Sequence, residues 1–269
     1  MLRSPAVAGQ FYPDRPDVLG KALDRLIPPV EHKRVAIGVI SPHAGYVYSG
    51  GVAGKSFAPL QIPPEVVILG PNHHGVGRPV AVYHRGGWQT PLGTVPIAET
   101  LADAILAACP LAAADVVAHR AEHSLEVQVP FLQRLADRLA IVPICIGRVP
   151  LEQLLALGDG LAAALAGLDP RPLIVASSDM THYESGEEAR RKDSLALERV
   201  LALDPEGLYR TVRDHHISMC GVLPAVIMLR AAKALGATGA ELVAYANSGE
   251  VTGDQREVVG YAGVIVTAD

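Results

Sequence analysis

Two histidine-bearing breaks in apolar runs carry the first chemical signal in this chain. Val66-Val67-Ile68-Leu69 runs into Gly70-Pro71-Asn72-His73-His74-Gly75, and Val35–Ile40 runs into Ser41-Pro42-His43-Ala44-Gly45. Short apolar runs rich in β-branched residues read as buried strands. Gly and Pro then mark where each strand stops. In an open α/β sheet the loops past the carboxyl ends of strands are where ligands bind. Two further runs end in the same way. Leu173–Ser177 leads to Ser178-Asp179-Met180-Thr181-His182, and Leu242–Ala246 leads to the stretch from Asn247 to Glu250. Three strand ends therefore offer a histidine, and a fourth offers carboxylates. Neutral imidazole together with carboxylate suits Fe(II), Zn(II) or Mn(II). Two histidines and one carboxylate with open positions is the facial set used for dioxygen chemistry at non-haem Fe(II). A zinc hydrolase would use similar ligands to activate water. The ligands come from distant segments, so spacing alone does not separate the two.

Other residues are weighed against these. His119 and His123 lie four apart with Glu122 and Glu126 beside them. On a helix they would make a metal pair, but the preferred reading is supporting or surface residues near a helix start. The stretch His123–Glu126 could also place one side chain under the site. His215 and His216 read as structural or rim residues, and His32 and His84 as solvated. Ser49–Ser56 nearly fits a phosphate-binding loop, but Ser49 stands where its first glycine is required. Cys220 is a minor candidate nucleophile, since a free cysteine is more often a small buried residue.

Positioning these groups requires several strands, and the pattern supplies them. Helices are expected over Val18–Ile27, Gly50–Leu60, Ala98–Ala108, Leu151–Leu165, Glu187–Leu203, Pro205–Asp214 and Gly221–Leu235. Leu125–Ala136 reads as a helix that must kink or start late to absorb Pro130. Strands are expected at Val80–Tyr83, Asp115–Ala118, Leu139–Ile146 and Val258–Val266, and Trp88–Pro96 as turns. Strands and helices alternate, which predicts one α/β domain over residues 1–269, three-layered, with a mixed but mostly parallel sheet covered by helices on both faces.

Composition narrows the class. The chain has 269 residues, 49% of them hydrophobic and 19% charged, with net charge -5. That supports a large core and gives no electrostatic case for nucleic acid or an anionic membrane. A single Trp88 argues against a base-stacking platform. Cys109, Cys145 and Cys220 are scattered and odd in number, which argues against disulfides and thiolate zinc sites. The first residues, Met1-Leu2-Arg3-Ser4-Pro5, lack the apolar core of a signal peptide. No apolar run reaches membrane-spanning length. A cytoplasmic protein is expected.

Six motifs resemble one family. Pro42-His43-Ala44-Gly45-Tyr46, Leu69–His74, Glu122-His123-Ser124-Leu125-Glu126, Ser177–His182, Cys220-Gly221 and Tyr245-Ala246-Asn247-Ser248-Gly249 keep the order found in the Memo family. Its bacterial and archaeal members are known as protein B of the AmmeMemoRadiSam system. The resemblance implies a fold similar to class III extradiol dioxygenases, with a metal site in the same cleft. It implies that His43 and His73 ligate the metal, Fe(II) foremost with Zn or Cu as alternatives. Asp179 and His182 would line the pocket, His182 as acid/base. The vertebrate member's cysteine ligand, counted without gaps from Tyr245, falls on Val251. The neighbouring Glu250 is therefore expected as third ligand, with Asp254 as fallback. The resemblance implies an oxidoreductase acting on a small molecule, with a metal-dependent hydrolase or a binding adaptor as alternatives. Its implied partners are a radical S-adenosylmethionine enzyme and an AMMECR-type protein.

Overall fold

The computed structural model describes residues 1–268. The chain opens with a two-residue strand β1 (Leu2–Arg3), an irregular arm and helix α1 (Pro16–Leu26). It continues through β2 (Gly38–Ser41), α2 (Tyr46–Phe57), β3 (Glu65–Pro71) and β4 (Val80–Val82). A hairpin of β5 (Gly87–Thr90) and β6 (Gly93–Pro96) precedes α3 (Glu99–Ala108) and β7 (Ala113–Ala114). A loop and a 3-10 turn at Glu126–Gln128 lead into α4 (Val129–Leu135), β8 (Ala140–Ile146) and α5 (Leu151–Leu165). Then come β9 (Leu173–Ser177), β10 (His182–Glu184), α6 (Gly186–Leu201), α7 (Pro205–Asp214) and α8 (Val222–Ala234). β11 (Gly239–Asn247), the single turn α9 (Gly249–Thr252) and β12 (Val258–Thr267) close the chain.

Four parallel strands form the sheet's centre in the order β2-β9-β3-β8. Antiparallel strands flank it, β12 beside β2 and β4 beside β8. β11 and β10 both pair with β12, and β7 pairs with β4. The central strands are apolar throughout because both faces are covered. Val66, Val67, Ile68 and Leu69 are all buried. Strand parity shows the two layers. Gly38 lies against Met228 of α8, so Ile40 and its partner Val264 share that face. Gly263, of opposite parity, lies against Ser56 of α2. The result is a three-layer mixed α/β architecture, as the alternation predicts.

β2, β9 and β3 are parallel, so their carboxyl ends emerge at one edge. That puts His43, the Asp179–His182 stretch and His73 on the same side of the molecule. Differences from the sequence reading have local causes. β3 runs on through Gly70 and Pro71, in register with Cys145 and Ile146 of β8. Asn72 N–H donates to Ile146 O, so the alternate, missing N–H of Pro71 falls on the β9 side, where pairing already stops at Leu69. Trp88–Pro96 is a hairpin rather than only turns, anchored by the fully buried Trp88. Asp115–Ala118 is no strand: the Asp115 carboxylate accepts from the N–H groups of Arg78 and Val117 and folds the segment into a turn. Leu125–Ala136 starts late, with Pro130 in the first turn of α4, where its missing N–H costs no helix bond. Among the described residues no helix is long and apolar enough to cross a membrane.

Candidate metal centre

His43, His73 and His123 converge: one ligand atom from each lies within 4.8 Å of the others. Ring centroids stand 5.2 Å apart for His43–His73, 5.5 Å for His43–His123 and 4.7 Å for His73–His123. His43 and His73 arrive on the strand-end loops after β2 and β3. His123 arrives on the loop between β7 and the 3-10 turn. That loop can lie so close to β3 only because residue 70 is glycine. A Cβ there would come within 2.7 Å of both Leu125 Cγ and Ser124 Oγ.

Hydrogen bonds behind the rings fix which nitrogen each presents. The Ser177 hydroxyl donates its single proton to Ser124 O at 2.6 Å. Toward His43 Nδ1, 2.9 Å away, it can therefore only accept. His43 thus carries its proton on Nδ1 and offers a lone pair on Nε2. Gln128 Nε2 donates to the same hydroxyl at 2.8 Å and to Pro42 O at 2.9 Å, tying the loop to the helix entry. His73 Nδ1 donates to Glu122 Oε1 at 2.8 Å, which again frees Nε2. The Glu122 carboxylate also accepts from His73 N–H at 2.7 Å and Ser124 N–H at 3.0 Å, and Oε1 lies 3.6 Å from His123 Nδ1. A buried carboxylate behind a ligating imidazole fixes its orientation and raises its basicity.

Electrostatics keep these groups in ligand form. Burial, then repulsion from His123 and His73, holds the His43 pKa well below the ordinary histidine value. Burial lowers His123 to about 4, against the pull of Glu122. Burial alone would raise Glu122, but the hydrogen bond and charge of His73 and the Ser124 and His73 N–H groups outweigh it, and the carboxyl sits well below its usual range. His43 and His123 are therefore neutral at pH 7, where metal binding needs them so.

Asp179, Cys220 and His182 border the cluster. Asp179 Oδ1 accepts from His43 N–H at 2.7 Å. Burial pushes its pKa up to about 6, against the hydrogen bond from His43 N–H. Cys220 Sγ lies 3.2 Å from His43 Nε2 and accepts from Asp179 N–H at 3.3 Å. Burial, then the Asp179 charge, raises the thiol far above its ordinary range, so S–H donates to the His43 lone pair. His182 is half-buried; its Nδ1 donates to Ser218 O at 3.0 Å, leaving Nε2 as an acceptor.

The loop bearing His123 is anchored from the far end of the chain. Arg3 donates to His119 O at 2.6 Å, to Glu122 O at 2.7 Å and to Glu126 Oε2 at 2.7 Å, and its guanidinium lies 4.1 Å from the Trp88 ring centroid. Glu126 also accepts from the N–H groups of Ala6 and Val7 and from Tyr12 O–H at 2.6 Å. Arg3 and Glu126 are 5% and 1% exposed, so both charges depend on this pairing.

The structure thus brings together His43, His73, Asp179 and His182 at one sheet edge. Glu250 stands elsewhere: it is exposed at the start of α9, and Oε1 accepts from Asn247 N–H at 3.2 Å. Asp254 is half-buried and paired with Arg256 at 2.6 Å. Neither belongs to the convergent group, whose third member is His123. The sequence alone favours a supporting or surface place for His123 near a helix start, ahead of a place under the site or a metal pair with His119. The signal that could have promoted His123 is Glu122 beside it, a carboxylate of the kind that holds a ligating imidazole from behind.

A model for Memo-like proteins matches residues 3–265. A MEMO1 family protein of Aquifex aeolicus is 46% identical over 98% of this chain and 98% of its own length. One from Methanopyrus kandleri is 41% identical over 98% and 99%, and one from Thermotoga maritima 42% over 99% and 100%. A crystal structure of an uncharacterized protein from Escherichia coli K12 aligns with TM-score 0.53 and 14% identity, covering 86% of this chain and 99% of that one. That likeness concerns fold alone.

Proposed function

This chain belongs to the Memo-like protein family, and from that premise we propose a metal-dependent oxidoreductase acting on a small molecule. The observation that carries the reading is the convergence of three imidazoles, two of them with Nδ1 committed as donor and Nε2 left as the lone-pair nitrogen. Imidazole donors suit Fe, Cu, Zn and Ni. The neutral thiol of Cys220 beside His43 adds a soft donor, which favours a redox metal over Mg or Ca. We assign His43, His73 and His123 as the protein ligands, with His123 in the place expected of Glu250. Fe(II) is the metal proposed, and when bound it would supply one-electron chemistry with dioxygen.

The chain's own residues have separable roles in this reading. Glu122 holds His73 and steadies the loop that presents His123. Asp179, with a pKa near 6, can hold or release a proton at its carboxyl close to neutral pH. His182 Nε2 accepts a proton from the substrate, with Ser218 O fixing the ring behind it. Burial of His43 and Glu122 keeps water from competing for these hydrogen bonds.

A hydrolase is the second reading. Three histidines are also a catalytic zinc set, where the metal activates water. Anaerobic purification, metal analysis and oxygen uptake with a panel of catechols and other small diols separate the two. Iron or copper with substrate-dependent oxygen uptake supports the oxidoreductase. Zinc with ester hydrolysis and no oxygen uptake selects the hydrolase.

A further inference from the structure

The arm before α1, one face of α1 and the start of α2 border an open cavity of about 490 Å³, within the size range of small-molecule sites. Its walls are apolar: Phe11, Tyr12, Leu26, Tyr46 and Val47 line it. Both phenols are already committed, Tyr12 O–H to Glu126 and Tyr46 O–H to Val127 O. What they give the cavity is ring surface. Arg25 is the one ionised side chain in the lining. It has no hydrogen-bond or ion-pair partner among the described residues, whereas its neighbour Asp24 is bound by Arg134 at 2.6 Å and Arg15 binds Asp17 at 3.0 Å. Phe11 belongs to two sites at once, because its ring also packs on the His123 ring with centroids 4.8 Å apart.

We propose that this cavity is a binding site for a small carboxylate with an apolar body, and that its occupant acts on His123 through Phe11. The apolar walls take the body, and the unpaired guanidinium at the rim takes the carboxylate in a two-pronged hydrogen bond. Filling the cavity presses on Phe11, which is packed directly against the ring that completes the histidine cluster. The occupant therefore reports to the metal centre without touching a ligand atom. The site is distinct from the assignment of metal ligands and stands or falls without it.

The test uses the metal-free protein and 4-phenylbutyrate as probe, with titration followed by calorimetry and by the His123 ring resonances. Saturable binding at about millimolar or tighter is expected. Arg25→Gln should weaken it by roughly tenfold or more, as loss of a charged hydrogen bond does, and 4-phenylbutanol should bind the wild type as weakly. Arg25 is exposed, so the variant should melt like the wild type. Ala22→Phe, which fills the cavity and leaves Arg25 in place, should also lose binding. The His123 resonances should move on saturation. Non-saturable binding, equal affinity in either variant, or unmoved His123 resonances at saturation would overturn the proposal. No arm involves metal, so a negative result leaves the three-histidine reading intact, and failure of that reading leaves this one.

Discussion

Glu122 touches no incoming ligand, yet it receives His73 through both ring and backbone and faces His123 at 3.6 Å. Replacing it tests whether the carboxylate tunes the ligands. Glu122→Gln keeps the shape and removes the charge; metal affinity should fall by about 10–100-fold, the usual effect of losing such support. A titration with Fe(II) or Zn(II) would show it, and unchanged affinity would reduce Glu122 to a loop brace. His182 makes the opposite prediction. His182→Ala should keep near-normal metal content while oxygen-dependent turnover drops by roughly 10²-fold or more. Measuring melting temperature, bound metal and rate on one preparation distinguishes this from a structural role, in which stability falls and rate per folded molecule is kept.

At the scale of elements, the site depends on the placement of one irregular loop. Arg3→Ala should cost about 3–5 kcal/mol, because it strands the buried Glu126 charge and frees Glu122 O. Gly70→Ala should cost about 1–3 kcal/mol through overpacking against Leu125, and metal binding should weaken along with it. Urea unfolding of both variants checks the magnitudes. These contacts also explain what the sequence reveals. His43, His73 and Asp179 follow apolar strands, and parallel pairing brings consecutive strand ends to one edge, so their convergence is legible from pattern alone. His123 follows no strand. Its position comes from Arg3, some 120 residues away, and from the missing Cβ at residue 70, and neither leaves a periodic trace. Glu250 was expected on an ungapped count, but α9 intervenes and turns its carboxylate back onto Asn247 N–H. Strand ends read well; loops held by distant polar contacts do not.

For the molecule as a whole, buried neutral histidines set the response to acid. Burial lowers His119 from 6.5 to about 4, though Nε2 is bonded to Ala81 O at 3.0 Å. The unfolded chain takes up this proton as pH falls through 6.5, and the folded chain only near 4. Its contribution is therefore complete above pH 6.5, declines between 6.5 and 4, and stays level below. That amounts to about 3 kcal/mol at ~1.4 kcal/mol per pH unit. His43 and His123 act in the same direction in the metal-free protein. Asp179, raised to about 6, acts oppositely between 6 and its ordinary 3.8 and offsets part of the loss. Urea midpoints of the metal-free protein should fall from pH 7 to pH 4.5, and His119→Gln should flatten the curve. The central claim concerns which three side chains hold one metal per molecule. Metal stoichiometry after loading and desalting, measured side by side for wild type, His123→Ala and Glu250→Ala, tests it most directly. One equivalent should remain in wild type and Glu250→Ala and be lost in His123→Ala; retention in His123→Ala with loss in Glu250→Ala would contradict the account.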